Sequence, residues 1–114
     1  MGKRNRQRSR ERLSAPTTRY EHPEFGVLEL RGALTPKTRA EYAAIGGVRE
    51  DAWQRQVEFL FERLAVRWTI HGLPIDRQQE LLARFRAASS DERAWMRNVL
   101  REHLTENFPE LSAP

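Results

Sequence analysis

The chain has 114 residues, of which 39% are hydrophobic and 32% are charged, and it contains no cysteine. A chain of this size builds one small domain, and without cysteine it forms neither disulfides nor thiolate metal sites. Its formal net charge is +4, but residues 1–12 hold six basic side chains and one acidic one. The remaining residues are nearly neutral, so this first segment carries the whole excess of positive charge.

Residues 1–18 alternate arginine with polar residues, and we expect this arm to be disordered because it has almost no apolar surface to bury. Its cationic side chains are candidate phosphate contacts: Lys3, Arg4, Arg6, Arg8, Arg10 and Arg12. Such side chains neutralise phosphates without reading bases, which gives salt-dependent binding to DNA or RNA. The alternative interpretation is a tail that increases solubility or docks on an acidic protein surface.

The segment 18–31 predicts a β-hairpin. Pro23 and Gly26 indicate a turn, and the alternation that follows places Leu28 and Leu30 on one face of a strand.

A short helix is expected over about 36–45. Thr35 followed by Pro36 is typical of a helix N-terminus, and Gly46-Gly47 is a helix-stop signal.

A long central helix is predicted from Asp51 to Ile70, because this stretch has no Gly or Pro. Helical spacing gives one apolar stripe, formed by Trp53, Val57, Leu60, Phe61, Leu64 and Trp68. A second stripe, roughly opposite, contains Ala52, Phe59, Val66 and Ile70. We favour coverage of the second stripe by the hairpin and the first helix. If it is uncovered, Phe59, Val66 and Ile70 are the candidate partner surface.

Two further helices are expected over 77–88 and 90–107, each starting with a capping-box pair: Asp76 with Gln79, and Ser89 with Glu92. The predicted fold class is therefore mainly α, with about four helices around the long central one and a small β-hairpin. It forms a single domain over 19–110, followed by a frayed tail at 111–114.

The titratable residues do not form a recognisable catalytic or metal-binding pattern. His22, His71 and His103 are scattered, without a second ligand at helical spacing, so we expect no metal and no cofactor. His71 is expected beside the carbonyl end of the central helix, and His103 at the edge of the core. Glu58 and Glu62 lie among arginines, which is typical of surface ion pairs. We expect no catalytic residues and a protein that is not an enzyme.

Four features resemble a known family: the opening YEHPEFGVLELRG, the Pro36 helix, the aromatic segment DAWQRQVEFLFERLAVRW and the Arg/Glu-rich helical end. Together they cover roughly residues 20–110, and their layout resembles the tail assembly chaperones of long-tailed actinobacterial phages. The resemblance implies a non-enzymatic factor in virion assembly that binds the tape-measure protein through apolar helix faces. It implies no catalytic residues.

The alternative function is a small nucleic-acid-associated or regulatory protein that uses the Arg-rich arm on DNA or RNA. No apolar run approaches the ~20 residues that span a bilayer, and no secretory signal follows the basic start. We therefore expect a cytoplasmic protein, in the host cytoplasm if it is phage-encoded. The expected partner is a tape-measure-like helical protein or a second copy, and no membrane partner is expected.

Overall fold

The structure is a computed structural model that describes residues 16–45 and 51–114. These residues form an α+β fold in which a four-stranded antiparallel sheet, ordered β1-β2-β3-β4, packs against helices. The elements in chain order are β1 (Thr17–His22), β2 (Gly26–Arg31), α1 (Pro36–Ile45), α2 (Ala52–Leu64), β3 (Ala65–Ile70), β4 (Leu73–Ile75), α3 (Gln78–Arg86) and α4 (Ser90–Asn107).

The predicted fold class, a mainly α bundle around a long central helix, is wrong. Helix α2 ends at Leu64, and the backbone becomes extended at Ala65, with φ −67° and ψ 123°. The next six residues form β3, which pairs with β2 on one side and β4 on the other. The predicted helix of twenty residues is therefore a shorter helix followed directly by an inner strand.

The sequence pattern of AVRWTI fits both a helix and a strand, which explains why the predicted helix extends too far. Val66, Trp68 and Ile70 continue the helical stripes, but they also alternate with Arg67 and Thr69 at period two. β-branched and aromatic residues favour strands when a neighbouring strand is present. Here β2 supplies that neighbour, and its pairing decides the conformation.

Local predictions around the helix starts and the first hairpin are largely confirmed. Strands β1 and β2 form the expected hairpin, and α1 has the predicted bounds. Thr35 caps α1 because its Oγ1 accepts from the Thr38 N–H at 3.1 Å. Helix α4 also has the predicted bounds, and the capping box of Ser89 and Glu92 is present.

The predicted start of α3 is wrong. The helix begins at Gln78, its N-cap is Arg77, and no side chain caps it, so Asp76 and Gln79 do not form a capping box. The predicted helix stop at Gly46-Gly47 and most of the basic arm lie outside the described residues.

One face of the sheet builds the core. Tyr20, Leu28, Trp68 and Ile75 lie opposite one another across the four strands. The helices cover this row with buried side chains, namely Val57, Leu60, Phe61, Leu64, Leu81, Phe85, Met96, Val99, Leu100 and Leu104. The result is two layers, with the helices on one face of the sheet.

The other face of the sheet is charged and faces solvent. Arg19, Glu29 and Arg67 lie opposite one another on β1, β2 and β3, so their charges alternate across the sheet. The Arg67 guanidinium lies 3.8 Å from the Glu29 carboxylate. Cross-strand pairs of opposite charge stabilise such a face modestly, by about 0.2–1 kcal/mol each.

The C-terminal residues, for which fraying is predicted, lie against α1 and α4. The Tyr42 hydroxyl donates to the Ser112 carbonyl, and Arg39 pairs with Glu110 at 2.6 Å. Arg97 donates through Nε to the Pro114 carbonyl at 3.3 Å.

Two tight turns connect the strands. The turn between β3 and β4 consists of His71 and Gly72, with φ of 50° and 77°, which is typical of a type I′ hairpin turn. The prediction that His71 lies at the end of a long helix is therefore wrong. In the other hairpin, Gly26 has φ 93° and passes so close to β3 that an added Cβ would lie 2.0 Å from the Thr69 carbonyl oxygen.

We expect Gly26→Ala to lower the free energy of unfolding by about 3 kcal/mol or more, because it combines left-handed strain with a backbone clash. Gly72→Ala is the matched control, since its φ is also positive but a Cβ there meets nothing within 4 Å. We expect this control to cost about 1 kcal/mol. Urea denaturation of both variants checks the difference, and equal losses would contradict the close approach of Gly26 to β3.

Candidate protein-binding surface

His103, the most deeply buried titratable residue, connects three elements through its ring. It lies on α4 and is fully buried. Its Nε2 donates to the Arg31 carbonyl at 2.6 Å, and the Tyr20 hydroxyl lies 2.9 Å from its Nδ1. Because the carbonyl only accepts, Nε2 carries the proton and Nδ1 accepts from Tyr20.

The surroundings of this pair keep both rings neutral. Burial lowers the pKa of His103, and this outweighs the opposite effects of the Arg31 carbonyl and Glu106. Burial also raises the pKa of Tyr20 to about 12, with smaller contributions from Glu106 and Glu102. A neutral, hydrogen-bonded histidine inside the core holds β1, β2 and α4 together, so its role is structural.

His22 is also held by contacts with neighbouring residues in the chain. Its Nδ1 accepts from the backbone N–H groups of Glu24 and Phe25, at 3.0 and 3.2 Å, and its ring stacks on Phe25. These contacts close the turn between β1 and β2. Within the described ranges, 16–45 and 51–114, no group of three or more His, Asp or Glu side chains is arranged to hold a metal ion.

An apolar depression lies between α2, α3 and α4. It has a volume of about 210 Å³, and Trp53, Val57 and Phe85 form its apolar walls. Gln54, Arg55, Glu58 and Arg93 complete the lining. We call this depression the Trp53 pocket. Val57 and Phe85 are buried parts of the core, whereas Trp53 is only half-buried, so the pocket connects the core to the surface.

Arginines from α4 lie over the aromatic rings of the Trp53 pocket. The Arg97 guanidinium is 4.1 Å from the centre of the Trp53 ring, and that of Arg93 is 5.7 Å from the centre of Phe85. Arg93 also donates to the Arg86 carbonyl at 2.8 Å. Contacts of a guanidinium with an aromatic face contribute about 0.5–2 kcal/mol, so these arginines help to fix the walls.

The rim of the Trp53 pocket is positively charged. Glu58 is its one acidic lining residue, and Arg86 pairs with it at 2.8 Å. Within the described part of the chain, Arg55 and Arg93 have no Asp or Glu carboxylate within 4.0 Å. The rim therefore has an excess of positive charge.

A second, more open depression adjoins the pocket along α2. It has a volume of about 290 Å³, shares Arg55 and Glu58 with the Trp53 pocket, and is also lined by Ile45, Phe59 and Glu62. Phe59 packs partly against the core. The centre of its ring lies 6.2 Å from that of Tyr42 of α1, and Arg63 lies over the Phe59 ring.

The three residues of the predicted partner surface lie on two different elements, α2 and β3. Phe59 lies on α2, beside the Trp53 pocket. Val66 is the extra residue of a β-bulge in β3, where Glu29 pairs with Arg67 and Leu30 with Ala65. Ile70 ends β3 opposite Leu73 and packs partly against the core. The predicted phosphate contacts, Lys3 to Arg12, lie outside the described residues.

The sequence did not predict the Trp53 pocket, because Trp53 and Val57 fall in the first apolar stripe of the predicted central helix, a pattern that favours burial. The available signal was weak. Trp53 stands in the first turn of α2, where a side chain is often incompletely covered, and Arg93 and Arg97 follow each other at i,i+4 on α4.

Comparison with family models, with curated proteins and with solved structures finds no match for this chain. Among the described residues, none of the helices is both long and apolar enough to cross a membrane.

We expect the wild-type unfolding free energy to fall as the pH decreases below about 6.5, the ordinary histidine value, toward the lower pKa of folded His103. The unfolded chain binds a proton in this range and the folded chain does not, so the slope reaches about 1.4 kcal/mol per pH unit. His103→Gln should remove this part of the pH dependence, while His71→Asn, in the exposed turn, should leave it unchanged. Urea denaturation at pH 7.5 and 5.5 measures how the unfolding free energy changes with pH. The same change in His103→Gln as in the wild type would contradict the attribution of this pH dependence to His103.

Proposed function

We propose that this protein is a non-enzymatic protein-binding factor, and that the Trp53 pocket takes an apolar side chain from an acidic protein segment. The observation that carries the proposal is an apolar depression, with a half-buried Trp53, beside arginines that have no carboxylate partner within the described residues. Tryptophan and arginine are the residue types that most often dominate binding at protein interfaces.

The two parts of the pocket specify the chemistry of the occupant. The walls from Trp53, Val57 and Phe85 favour an aliphatic or aromatic side chain, because they offer little to hydrogen-bond. The arginines on the rim favour carboxylates next to that side chain. A nucleic-acid backbone would satisfy the arginines but brings no apolar group to Val57 and Phe85, so a protein segment fits both features better.

The neighbouring depression extends this surface along α2. Phe59 and the Trp53 pocket are separated by Arg55 and Glu58, which border both. A helical partner presents apolar side chains at intervals of three and four residues and can occupy neighbouring depressions with consecutive turns. This arrangement supports an amphipathic helix with acidic flanks as the partner.

In its narrower form the proposal is a tail assembly chaperone that binds the tape-measure protein of a phage. This form rests on the sequence resemblance over residues 20–110. The Trp53 pocket and Phe59 replace the predicted surface of Phe59, Val66 and Ile70 as the place where the helical partner docks. Co-expression with a tape-measure protein encoded beside this gene tests the narrower form, and Trp53→Glu should abolish that complex.

We expect Trp53→Glu to weaken binding of an acidic amphipathic helical peptide, with leucines at i, i+3, i+4 and i+7 and glutamates elsewhere, by at least about tenfold. Leu73→Glu is the matched control, because Leu73 is 72% exposed on β4 and lines none of these depressions. Titration calorimetry measures both affinities. Equal binding of a peptide with lysines in place of the glutamates, or equal weakening by the two variants, would contradict the proposal.

The alternative function is nucleic-acid binding by the arm, and the charge of residues 1–12 favours it. Under our proposal, deletion of residues 2–12 leaves peptide binding unchanged. If the intact protein shifts DNA or RNA in a gel and the shift is lost on deletion or at higher salt, the alternative is supported. Measuring peptide binding and nucleic-acid binding with both the intact protein and the deletion variant separates the two functions.

A further inference from the structure

The two edges of the sheet differ in how well they are protected. At one edge, β4 has three residues and contains Pro74, which lacks a backbone donor. At the other edge, β1 has six residues without proline. Short strands and prolines block pairing with another chain, whereas a longer edge strand presents a row of free backbone groups. In the described part of the chain, β1 has a neighbouring strand on one side alone.

The register of the hairpin identifies the free backbone groups of β1. The Gly32 N–H donates to the Pro16 carbonyl at 3.1 Å, so Pro16 and Gly32 form a hydrogen-bonded pair next to the pair of Thr17 and Arg31. In an antiparallel pair, hydrogen-bonded positions alternate along the strand. The backbone groups of Thr18, Tyr20 and His22 therefore bond to β2. Those of the three intervening residues, Thr17, Arg19 and Glu21, are directed away from the sheet.

The same outward positions carry the charged side chains. Arg19 and Glu21 are 64% and 71% exposed and lie on the outer face of the sheet, where their charged groups are 3.7 Å apart. This edge therefore combines free hydrogen-bonding groups with one positive and one negative charge, two residues apart. A strand with the same sequence, running antiparallel, is complementary to it in both respects.

We propose that β1 pairs antiparallel with β1 of a second copy of this chain, with the twofold axis at Tyr20. In this register Arg19 lies opposite Glu21 of the partner subunit, and Glu21 lies opposite Arg19 of the partner subunit. If the twofold axis lay at Arg19, this residue would face Arg19 of the partner subunit. If the axis lay at Glu21, this residue would face Glu21 of the partner subunit. Like charges directly opposite destabilise a pair, so the Tyr20-centred register is the favourable one.

The proposed pair continues a pattern already present in the sheet. Arg67, Glu29 and Arg19 alternate in charge across β3, β2 and β1, and Glu21 of the partner subunit adds the next negative charge in that row. The strand is also held in place beforehand, because Tyr20 is bonded to buried His103 from the inner face. An edge strand that is already ordered loses little entropy when it pairs.

The interface is small, so the dimer is reversible. Arg19 and Glu21 exchange about four backbone hydrogen bonds with the partner strand, and the contact is well below the standard size of stable interfaces. Its exposed charges are screened by salt, so association is strongest at low ionic strength. This surface is separate from the Trp53 pocket, and Trp53→Glu leaves the dimer unchanged.

The role of the Arg19 and Glu21 charges is tested by reversing each of them. Sedimentation equilibrium of the full chain at low salt measures the dimer dissociation constant. We expect Arg19→Glu and Glu21→Arg each to raise the dimer dissociation constant at least about tenfold, since each turns two attractive pairs into repulsive ones. The double variant restores opposite charges in the same register, so its dissociation constant should return to within about threefold of wild type. An equimolar mixture of the two single variants should form heterodimers.

The backbone is tested separately at Glu21. Glu21→Pro removes an outward N–H without touching the bonds between β1 and β2, so the monomer should keep its fold and the dimer should be lost. Glu21→Thr keeps the N–H and should dimerise more tightly than Glu21→Pro. Circular dichroism confirms the fold of each variant. A wild-type chain that stays monomeric at millimolar concentration, or a double variant that remains as weak as the single ones, would overturn the proposal.

Discussion

Pairing of β3 with β2 is the interaction on which the other features of this fold depend. It places Trp68 in the core, where its ring and that of Phe61 pack in a T-shaped arrangement and its Nε1 donates to the Phe25 carbonyl at 2.7 Å. It also requires a glycine at position 26, where the two strands approach too closely for any side chain. Once these residues are in a sheet, α2 has to end at Leu64, and α3 and α4 have to cover the inner face.

The early end of α2 also shapes the two surfaces on which the proposed contacts rest. A helix of thirteen residues presents Trp53 in its first turn, beside Arg93 and Arg97 of α4, and Phe59 in its middle, instead of two long apolar stripes. The sheet that replaces the rest of the predicted helix has an edge strand and a charged face that none of the described helices covers. The two proposed contacts follow from this arrangement: an apolar pocket with a cationic rim in the helical layer, and a backbone edge with paired charges in the sheet.

Much of the arginine in the described body is used in packing. Arg39, Arg63, Arg84, Arg93 and Arg97 each lie over an aromatic ring, 4.1–5.7 Å from its centre. A planar, weakly hydrated guanidinium stacks on an aromatic face better than a lysine ammonium does. Part of the high arginine content is therefore explained by packing within the described residues.

By itself, the sequence determined the features that depend on neighbouring residues: the β1–β2 hairpin, the Thr35 cap, the capping box of Ser89 and Glu92, and the bounds of α1 and α4. Their hydrogen bonds form within a few positions of one another, so short patterns identify them. The conformation of 65–70, the Trp53 pocket and the surroundings of His103 were decided by the tertiary structure. AVRWTI fits a helix and a strand equally well by pattern, and only β2, more than thirty residues earlier in the chain, supplies the backbone partners that make it a strand.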